Sequence, residues 1–360
     1  MTRGAWMKLT TAFLALILAS SAAIAQDVRI GVFSLFHPTQ LTLSASAGTA
    51  LVVHVGRESL VLERSSGLNI AHIHVTRDGL VLDVGARVLH APEVTVTSRE
   101  NGPVEFNLAV PGKITRRYRG TLDLKPDSQV LTAVVTMDLE TAVASVVAAE
   151  SSQDAPSEAS KALAVAARSY FVAGKGRHHE FDFCDTTHCQ FLREAPADNS
   201  VVAQAVFATR GLVIAYQSKT VVAMYTRSCS GRTRTPAELG LPPASYPYYS
   251  VDCKYCRQHP SRWQSRISAE DAATLRPSNE SSRLNLDRRL GWSAVPSNTF
   301  VTRKDGEQIV LQGVGQGHGI GLCQAGAKAM AEEGADFRTI LAHYYPNTIV
   351  TILASAAPPH

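Results

Sequence analysis

One acidic residue lies at the end of an apolar helical stripe. Leu139, Val143, Val146 and Glu150 follow the i, i+4, i+7, i+11 spacing that brings side chains to one face of a helix. A carboxyl group on an apolar face loses hydration, and this raises its pKa towards the range useful to a general acid. The pattern therefore predicts an acid–base role for Glu150. The alternative is a helix end that turns this carboxylate out to water.

A second group of residues has the chemistry of metal ligands. His178, Cys184, His188 and Cys189 lie within twelve residues, and thiolate and imidazole groups at this density suit one zinc ion. His179 is an alternative ligand to His178. A Cys184–Cys189 disulfide is the competing interpretation in an oxidising compartment. A catalytic zinc is disfavoured, because four protein ligands leave no open position for water.

Two helices must position these groups. The sequence predicts the first over residues 139–150, with Asp138 as its N-cap. It predicts the second from an Asp154 cap to about Val172, rich in alanine and therefore able to approach a neighbouring helix closely. Arg168 lies on this second helix, where it is a candidate to align a substrate or to tune the pKa of Glu150.

Three separated motifs resemble the stage II sporulation protein D family. They are Val147-Ala148-Ala149-Glu150 with the alanine-rich run that ends in Arg168-Ser169-Tyr170, the segment Cys184-Asp185-Thr186-Thr187-His188-Cys189-Gln190, and the glycine-rich segment Gly315 to Lys328 followed by His343-Tyr344-Tyr345-Pro346. The resemblance runs from roughly Tyr118 to Val350. It departs from the family pattern where Ser151-Ser152 replaces the usual Met-Pro after the glutamate.

That family includes peptidoglycan lytic transglycosylases and amidase-enhancer proteins. The resemblance implies an enzyme that cleaves glycan strands between MurNAc and GlcNAc, with Glu150 as its single acid and base, to give 1,6-anhydro ends. The candidate cleft residues are Arg168, Tyr170, Ser228, Ser230, His318, Gln324 and Tyr344. The alternative is a non-catalytic, glycan-binding amidase enhancer. The implied partners are glycan strands and, in the second case, a cell-wall amidase.

The remaining cysteines leave several interpretations open. Cys253 and Cys256 form a lone Cys-x-x-Cys motif, which suits a disulfide, half of a zinc site or free thiols. A nucleophilic pair of Cys229 and His318 is a further alternative, but no sequence spacing brings these two residues together.

Residues 1–25 have the features of a secretory signal. Arg3 and Lys8 precede an apolar run, and Ala23-Ile24-Ala25 forms a small-x-small cleavage site. We therefore expect an exported protein of the periplasm or cell wall. Removing two cations and no acid would leave a formal charge two below the +4 of the whole chain, which offers no electrostatic footprint for nucleic acid.

The hydrophobic patterning predicts an α+β fold. Alternating segments separated by turn residues indicate a β-rich region over 26–117. The mixed helical and strand patterns that follow, together with the resemblance, define a catalytic domain over 118–350. Residues 351–360 are expected to form a tail.

Overall fold

The computed structural model describes residues 26–152 and 154–353. The predicted α+β class is confirmed, because long antiparallel strands are followed by helices that pack together beside short strands. The expected signal segment 1–25 lies outside the described residues, as does most of the expected tail. Among the residues described, no helix combines the length and the apolar character that crossing a bilayer requires.

The first part of the chain is a succession of strands. They are β1 (Asp27–Val32), β2 (Gln40–Ala45), β3 (Ala50–Val55), β4 (Glu58–Glu63), β5 (Ile70–Thr76), β6 (Gly79–Val84), β7 (Arg87–Ala91), β8 (Val94–Thr97), β9 (Val104–Val110), β10 (Ile114–Asp127) and β11 (Val130–Asp138). Apolar and polar residues alternate along them, as in β2, where Leu41, Leu43 and Ala45 are buried. This period of two places one face of the sheet on the core.

The helices follow from the end of β11. They are α1 (Leu139–Glu150), α2 (Ser157–Ala173), α3 (Val201–Ala208), α4 (Lys254–Gln258), α5 (Ala269–Thr274), α6 (Glu280–Leu290), α7 (Gln324–Glu332) and α8 (Phe337–Tyr344). The short strands between and after them are β12 (Phe183–Cys184), β13 (Leu212–Tyr216), β14 (Lys219–Thr220), β15 (Tyr225–Thr226), β16 (Arg262–Ser268), β17 (Phe300–Asp305), β18 (Gln308–Val314), β19 (Leu322–Cys323) and β20 (Ile349–Ile352).

One twelve-stranded sheet connects the two expected domains. Its main order is β12-β1-β11-β10-β9-β2-β5-β6-β7, with β8 pairing β10 and β3, and β4 completing that branch. Strand β10 crosses the expected boundary at 117/118 without interruption. At the other end of the domain, β20 pairs with β13 and continues to Ile352, two residues beyond the expected end at 350.

Helix α2 lies at the centre of the helical layer. Its neighbours include α1, α3, α7, α8 and β13. The run of small residues explains how so many elements approach one helix, because Ala162, Ala164, Ala166 and Ala167 are fully buried. The predicted Asp154 cap is wrong: α2 begins at Ser157 after Pro156, which makes no side-chain cap bond, and Asp154 instead forms an ion pair with Lys328 at 3.1 Å.

A smaller apolar core lies between 262 and 314. Strands β16, β18 and β17 form a three-stranded antiparallel sheet that α5 contacts, and α6 contributes Leu286 to the same core. Ile267, Leu286, Val295 and Leu311 are buried in it.

Candidate functional site

Glu150 is the last residue of α1 and lies on the wall of a cavity. The helix begins as predicted, since the Asp138 carboxylate accepts hydrogen bonds from the backbone N–H groups of Glu140 at 3.0 Å and Thr141 at 3.2 Å. Val143 and Val146 are fully buried on the stripe that ends at Glu150. The carboxyl group is therefore fixed at the edge of the core, where α1 meets the N-terminal end of α7.

The cavity beside Glu150 has a volume of about 190 Å³. Its apolar side includes Ala159 and Leu163 of α2 together with Leu322, and its polar side includes Arg227, Gln324 and Lys328. Glu150 thus shares its cavity with apolar groups, an amide, the Arg227 guanidinium and the Lys328 ammonium, the last of which is paired with Asp154 and Glu332. This combination is typical of sites in which a few polar groups orient a ligand.

The surroundings of Glu150 raise the pKa of its carboxyl group. Burial is the largest cause, because the charged form loses hydration. A hydrogen bond from Gln324 Nε2 to Glu150 Oε2 at 3.2 Å lowers the pKa, as do the charges of Arg227 and Arg193, but burial outweighs them. This direction agrees with the raised pKa predicted from the apolar stripe.

Of the seven expected cleft residues, Gln324 alone lines the cavity beside Glu150 within the described part of the chain, where it is hydrogen-bonded to the Glu150 carboxyl group. His318 is half-buried, its Nδ1 accepts the backbone N–H of Ile320 at 2.9 Å, and burial lowers its pKa to about 4. Tyr344 is buried, with its hydroxyl 3.5 Å from the sulfur of Cys253. Neither residue is among those that line the cavity beside Glu150.

The other expected cleft residues also lie off the cavity wall. The Ser228 side chain is buried, with its Oγ 3.7 Å from the sulfur of Cys256, and Ser230 follows two residues later. Tyr170 is buried on α2, where its ring packs on Phe183 and its hydroxyl accepts a hydrogen bond from Arg177.

Arg168 has a place in the core and not on a cleft surface. Its side chain is fully buried, and its guanidinium makes two hydrogen bonds to Glu140, at 2.8 Å and 2.6 Å. The remaining N–H groups donate to the backbone carbonyls of Ala164, Leu212 and Val206. The guanidinium therefore has no free donor for a substrate, and the expected alignment of substrate by Arg168 is corrected to a structural role.

Arg227 and Lys328 line the cavity but were not among the individual residues that the sequence analysis named for the cleft. Arg227 is exposed at the mouth of the cavity, in the same loop as Ser228 and Ser230. Lys328 lies one turn beyond Gln324 on α7, so the i, i+4 relation to Gln324 was the available signal. Neither could be placed next to Glu150 without the three-dimensional contact between α1 and α7.

The four expected metal ligands do come together. One donor atom each from His178, Cys184, His188 and Cys189 lies within 4.8 Å of every other. His178 Nε2 is 3.2 Å from the Cys189 sulfur, and His188 Nδ1 is 3.6 Å from the Cys184 sulfur. The alternative ligand His179 points outwards, with 96% of its side chain exposed, and pairs with Glu180. The donor set and its spacing fit one tetrahedral zinc ion.

The loop that carries this cluster is tied to the large sheet. Strand β12 pairs in parallel with β1, with Cys184 opposite Gly31. Gly31 leaves room for the ring of Phe181, because a Cβ atom there would overlap three carbon atoms of that ring. Asp185 forms a buried ion pair with Arg116 of β10. The loop that carries the four clustered His and Cys side chains is thus held by the sheet on one side.

A hydrogen-bonded chain joins the same loop to the Glu150 side of the molecule. Gln190 follows the last ligand, and its Nε2 donates to the Ala167 carbonyl of α2 at 3.1 Å. Its Oε1 accepts a 2.6 Å hydrogen bond from the Tyr225 hydroxyl. Tyr225 is two residues before Arg227 of the cavity wall, and the charge of Glu150 contributes to raising its pKa, after burial.

The proposed nucleophilic pair of Cys229 and His318 has no support in the described contacts. The Cys229 backbone N–H donates to the sulfur of Cys323 at 3.3 Å, and Cys229 is grouped with three other cysteines. His318 makes its hydrogen bond to Ile320. Cys229 is also buried, with 1% of its surface exposed, so that its sulfur is screened from a substrate.

A larger cavity of about 690 Å³ lies elsewhere. Charged residues including Arg117, Glu140, Glu194 and Arg210 line it, and Glu150 and Gln324 do not. Some of these charged groups are paired with each other, as Arg117 is with Glu105 and Glu194. It brings together none of the expected cleft residues.

The fold and the site define a mixed α+β protein with one half-buried acid and a His/Cys cluster on a neighbouring loop. Residues 127–216, which contain both, match the family model described as Stage II sporulation protein. The resemblance to the stage II sporulation protein D family is therefore confirmed over residues 127–216.

Three relatives extend the comparison. An uncharacterized protein of Brachyspira hyodysenteriae is 28% identical over 262 residues, covering 63% of this chain and 70% of its own. The Stage II sporulation protein D of Bacillus amyloliquefaciens is 24% identical over 59% of this chain and 74% of its own. The Amidase enhancer of Bacillus subtilis is 45% identical over 65 residues, which are 18% of this chain and 9% of that protein.

Proposed function

We propose that the protein is an exported peptidoglycan lytic transglycosylase whose acid and base is Glu150. The family match and the two named relatives support a role connected with the cell wall. The observation that carries the finer proposal is the position of Glu150: it ends an apolar stripe, borders a cavity, and has a pKa raised by burial.

The chemistry needs only one carboxyl group. The protonated Glu150 donates its proton to the glycosidic oxygen, and the C1–O bond of the muramic residue breaks. The resulting carboxylate accepts the proton of that residue's own C6 hydroxyl, whose oxygen forms the new bond to C1. No water is consumed, and a 1,6-anhydro end results. A hydrolytic glycosidase, by contrast, usually requires a second carboxyl group near the first.

The other groups of the cavity fit these steps. Gln324 fixes the direction of the Glu150 carboxyl group through its hydrogen bond. Arg227 places positive charge at the cavity and lowers the cost of the carboxylate formed after the first proton transfer, whereas the Lys328 ammonium is paired with Asp154 and Glu332. The exposed Arg227 guanidinium also suits the carboxylates that muramic acid and its stem peptides carry.

We propose a structural zinc ion at His178, Cys184, His188 and Cys189. The four donors are mutually close, and the thiolates are buried while the imidazoles are half-buried. Such a set leaves no open position on the metal, so the ion would stabilise the loop and take no part in catalysis. Through Gln190 and Tyr225, an ordered loop supports the strand that leads to Arg227.

A non-catalytic amidase enhancer is the second candidate. Two observations favour it: the cavity of about 190 Å³ is smaller than the 300 Å³ or more that is usual for ligand pockets, and Ser151-Ser152 departs from the family pattern next to Glu150. In this case the protein would hold glycan or an amidase on the same surface without breaking a bond.

Digestion of purified glycan strands separates the two candidates. The chain without residues 1–25 is incubated with strands that retain their stem peptides and with strands stripped of them, and the products are analysed by mass spectrometry. New 1,6-anhydro-muramic ends on either substrate support the transglycosylase. Binding of strands by sedimentation without new ends, combined with stimulation of an added cell-wall amidase, would establish the enhancer instead.

A further inference from the structure

We propose that Cys229, Cys253, Cys256 and Cys323 bind a second metal ion, a zinc held by four thiolates. These four cysteines come from three separate segments of the sequence, and only the Cys253-x-x-Cys256 pair is visible as a motif. The fold brings all four sulfur atoms within 4.8 Å of one another. This site goes beyond the proposed function and stands whether or not Glu150 is catalytic.

The spacing of the sulfur atoms fits one tetrahedral ion. Zinc–sulfur bonds of about 2.3 Å place tetrahedral thiolates about 3.8 Å apart. The sulfur atoms of Cys256 and Cys323 are 3.5 Å apart, and every other pair lies within the 4.8 Å limit. An iron–sulfur cluster needs more room, because several metal and sulfide atoms separate its cysteine ligands.

The surroundings of the four sulfurs are those of a closed site. The exposed fractions of Cys229, Cys253, Cys256 and Cys323 are 1%, 2%, 1% and 0%. The backbone N–H of Cys229 donates to the sulfur of Cys323 at 3.3 Å, and hydrogen bonds of this kind stabilise thiolate ligands. With four protein ligands and no exposure, the ion would be structural.

A glycine of α7 packs directly against the four-cysteine cluster. Gly326 lies on α7, where a glycine ordinarily costs helix stability. A Cβ atom at this position would lie 2.6 Å from the sulfur of Cys253 and would also overlap the hydroxyl of Tyr344. The absence of a side chain at Gly326 therefore allows α7 to approach the cluster closely.

The site would fasten together the two segments that form the wall of the Glu150 cavity. Cys229 follows β15 and Arg227, whereas Cys323 ends β19 and immediately precedes Gln324. The two strands pair in parallel, and the Ala325 N–H donates to the Arg227 carbonyl at 3.1 Å. One ion bonded to both segments, and to α4 through Cys256, would fix the spacing of Arg227 and Gln324.

Metal content and thiol status test the proposal together. The chain has six cysteines, and all six belong to the two clusters. We expect two zinc ions per chain by elemental analysis. Denaturation in a chelator with an alkylating agent and no reductant should then label Cys229, Cys253, Cys256 and Cys323 completely. Disulfide bonds among these four cysteines would overturn the proposal. So would four reduced cysteines in a protein that lacks the second zinc ion.

Variants assign the ions to their clusters. Cys189→Ser should lower the zinc content from two ions per chain to one. The remaining ion should be lost only when a cysteine of the four-cysteine site is also replaced. Cys256→Ser should likewise retain one zinc, and Tyr344→Phe, which changes a neighbour of Cys253 but no ligand, should retain two. If Cys256→Ser does not fold, the labelling of the unaltered protein still decides. A Cys189→Ser protein that folds but holds no zinc would contradict the second site.

Discussion

Gln324 Nε2 donates a 3.2 Å hydrogen bond to Glu150 Oε2 across 174 positions of sequence. The bond joins the end of α1 to the first residue of α7, and it connects the first and the third of the motifs that the sequence contains. It stabilises the carboxylate and so opposes the effect of burial on the pKa of Glu150. The amide therefore orients the acid and limits how far its pKa rises.

Replacing Gln324 should move the pH dependence of cleavage. Gln324→Leu removes the donor at similar volume, so the pKa of Glu150 should rise further. Because the first step needs the protonated acid, the fall of kcat/KM on the alkaline side should shift to higher pH. Gln308→Leu, at an exposed position of β18, is the control. An unchanged profile would mean that the amide does not act on Glu150.

Glu150→Gln should stabilise the protein near neutral pH. The folded pKa of Glu150 lies above its ordinary value, so the native state is destabilised relative to the variant as the pH rises through that folded pKa. Below the ordinary carboxyl pKa both states are protonated and the difference vanishes. Chemical denaturation at pH 4 and pH 8 measures it, with the exposed Glu333→Gln as control. If the Glu150→Gln variant is less stable than the parent at pH 8, the claim that burial raises the pKa of Glu150 is wrong.

The ion pair of Arg168 and Glu140 should contribute to stability and not to substrate binding. Arg168→Leu leaves a partly buried carboxylate without its partner, which typically costs about 3–5 kcal/mol in the free energy of unfolding. Glu140→Leu combined with Arg168→Leu should recover part of this loss. Urea denaturation of the two single variants and the double variant gives the coupling energy. Loss of glycan affinity in a stable Arg168→Leu protein would restore its expected role in the cleft.

Removing the zinc ion proposed at the His/Cys cluster should lower the stability of the fold and should not act directly on the cleavage reaction. Cys184→Ser should lose one zinc per chain and melt at lower temperature, because metal binding is coupled to the order of the loop. His179→Ala is the matched control, since this neighbouring imidazole lies outside the cluster. A His179→Ala protein that lost its zinc while His178→Ala kept it would reverse the ligand assignment.

Local patterns in the sequence predicted the elements that depend on local chemistry. The Asp138 cap, the limits of α1 and the stripe that ends at Glu150 followed from spacing alone. The His/Cys cluster could be predicted because its ligands are close in sequence. Asp154 failed as a cap because its carboxylate pairs with Lys328 of α7, a contact between distant segments.

Relations between distant segments could not be predicted in the same way. The four-cysteine group needs β15, α4 and β19 to meet, and nothing in the spacing of Cys229 or Cys323 indicates this. Arg168 was expected to align a substrate or to tune the pKa of Glu150. It is buried because α3 and β13 cover α2 and because Glu140 compensates its charge.

The rate at which Glu150→Gln forms 1,6-anhydro-muramic ends tests the central claim most directly. Glutamine preserves the size and the hydrogen bonding of the side chain but cannot transfer the proton. On strands that the parent protein cleaves, we expect the variant to fold, to retain its zinc and to bind glycan. Its rate of anhydro-end formation should be lower by on the order of a hundredfold or more. Glu150→Asp should keep a small activity. Anhydro ends formed by Glu150→Gln at the parental rate would contradict the account.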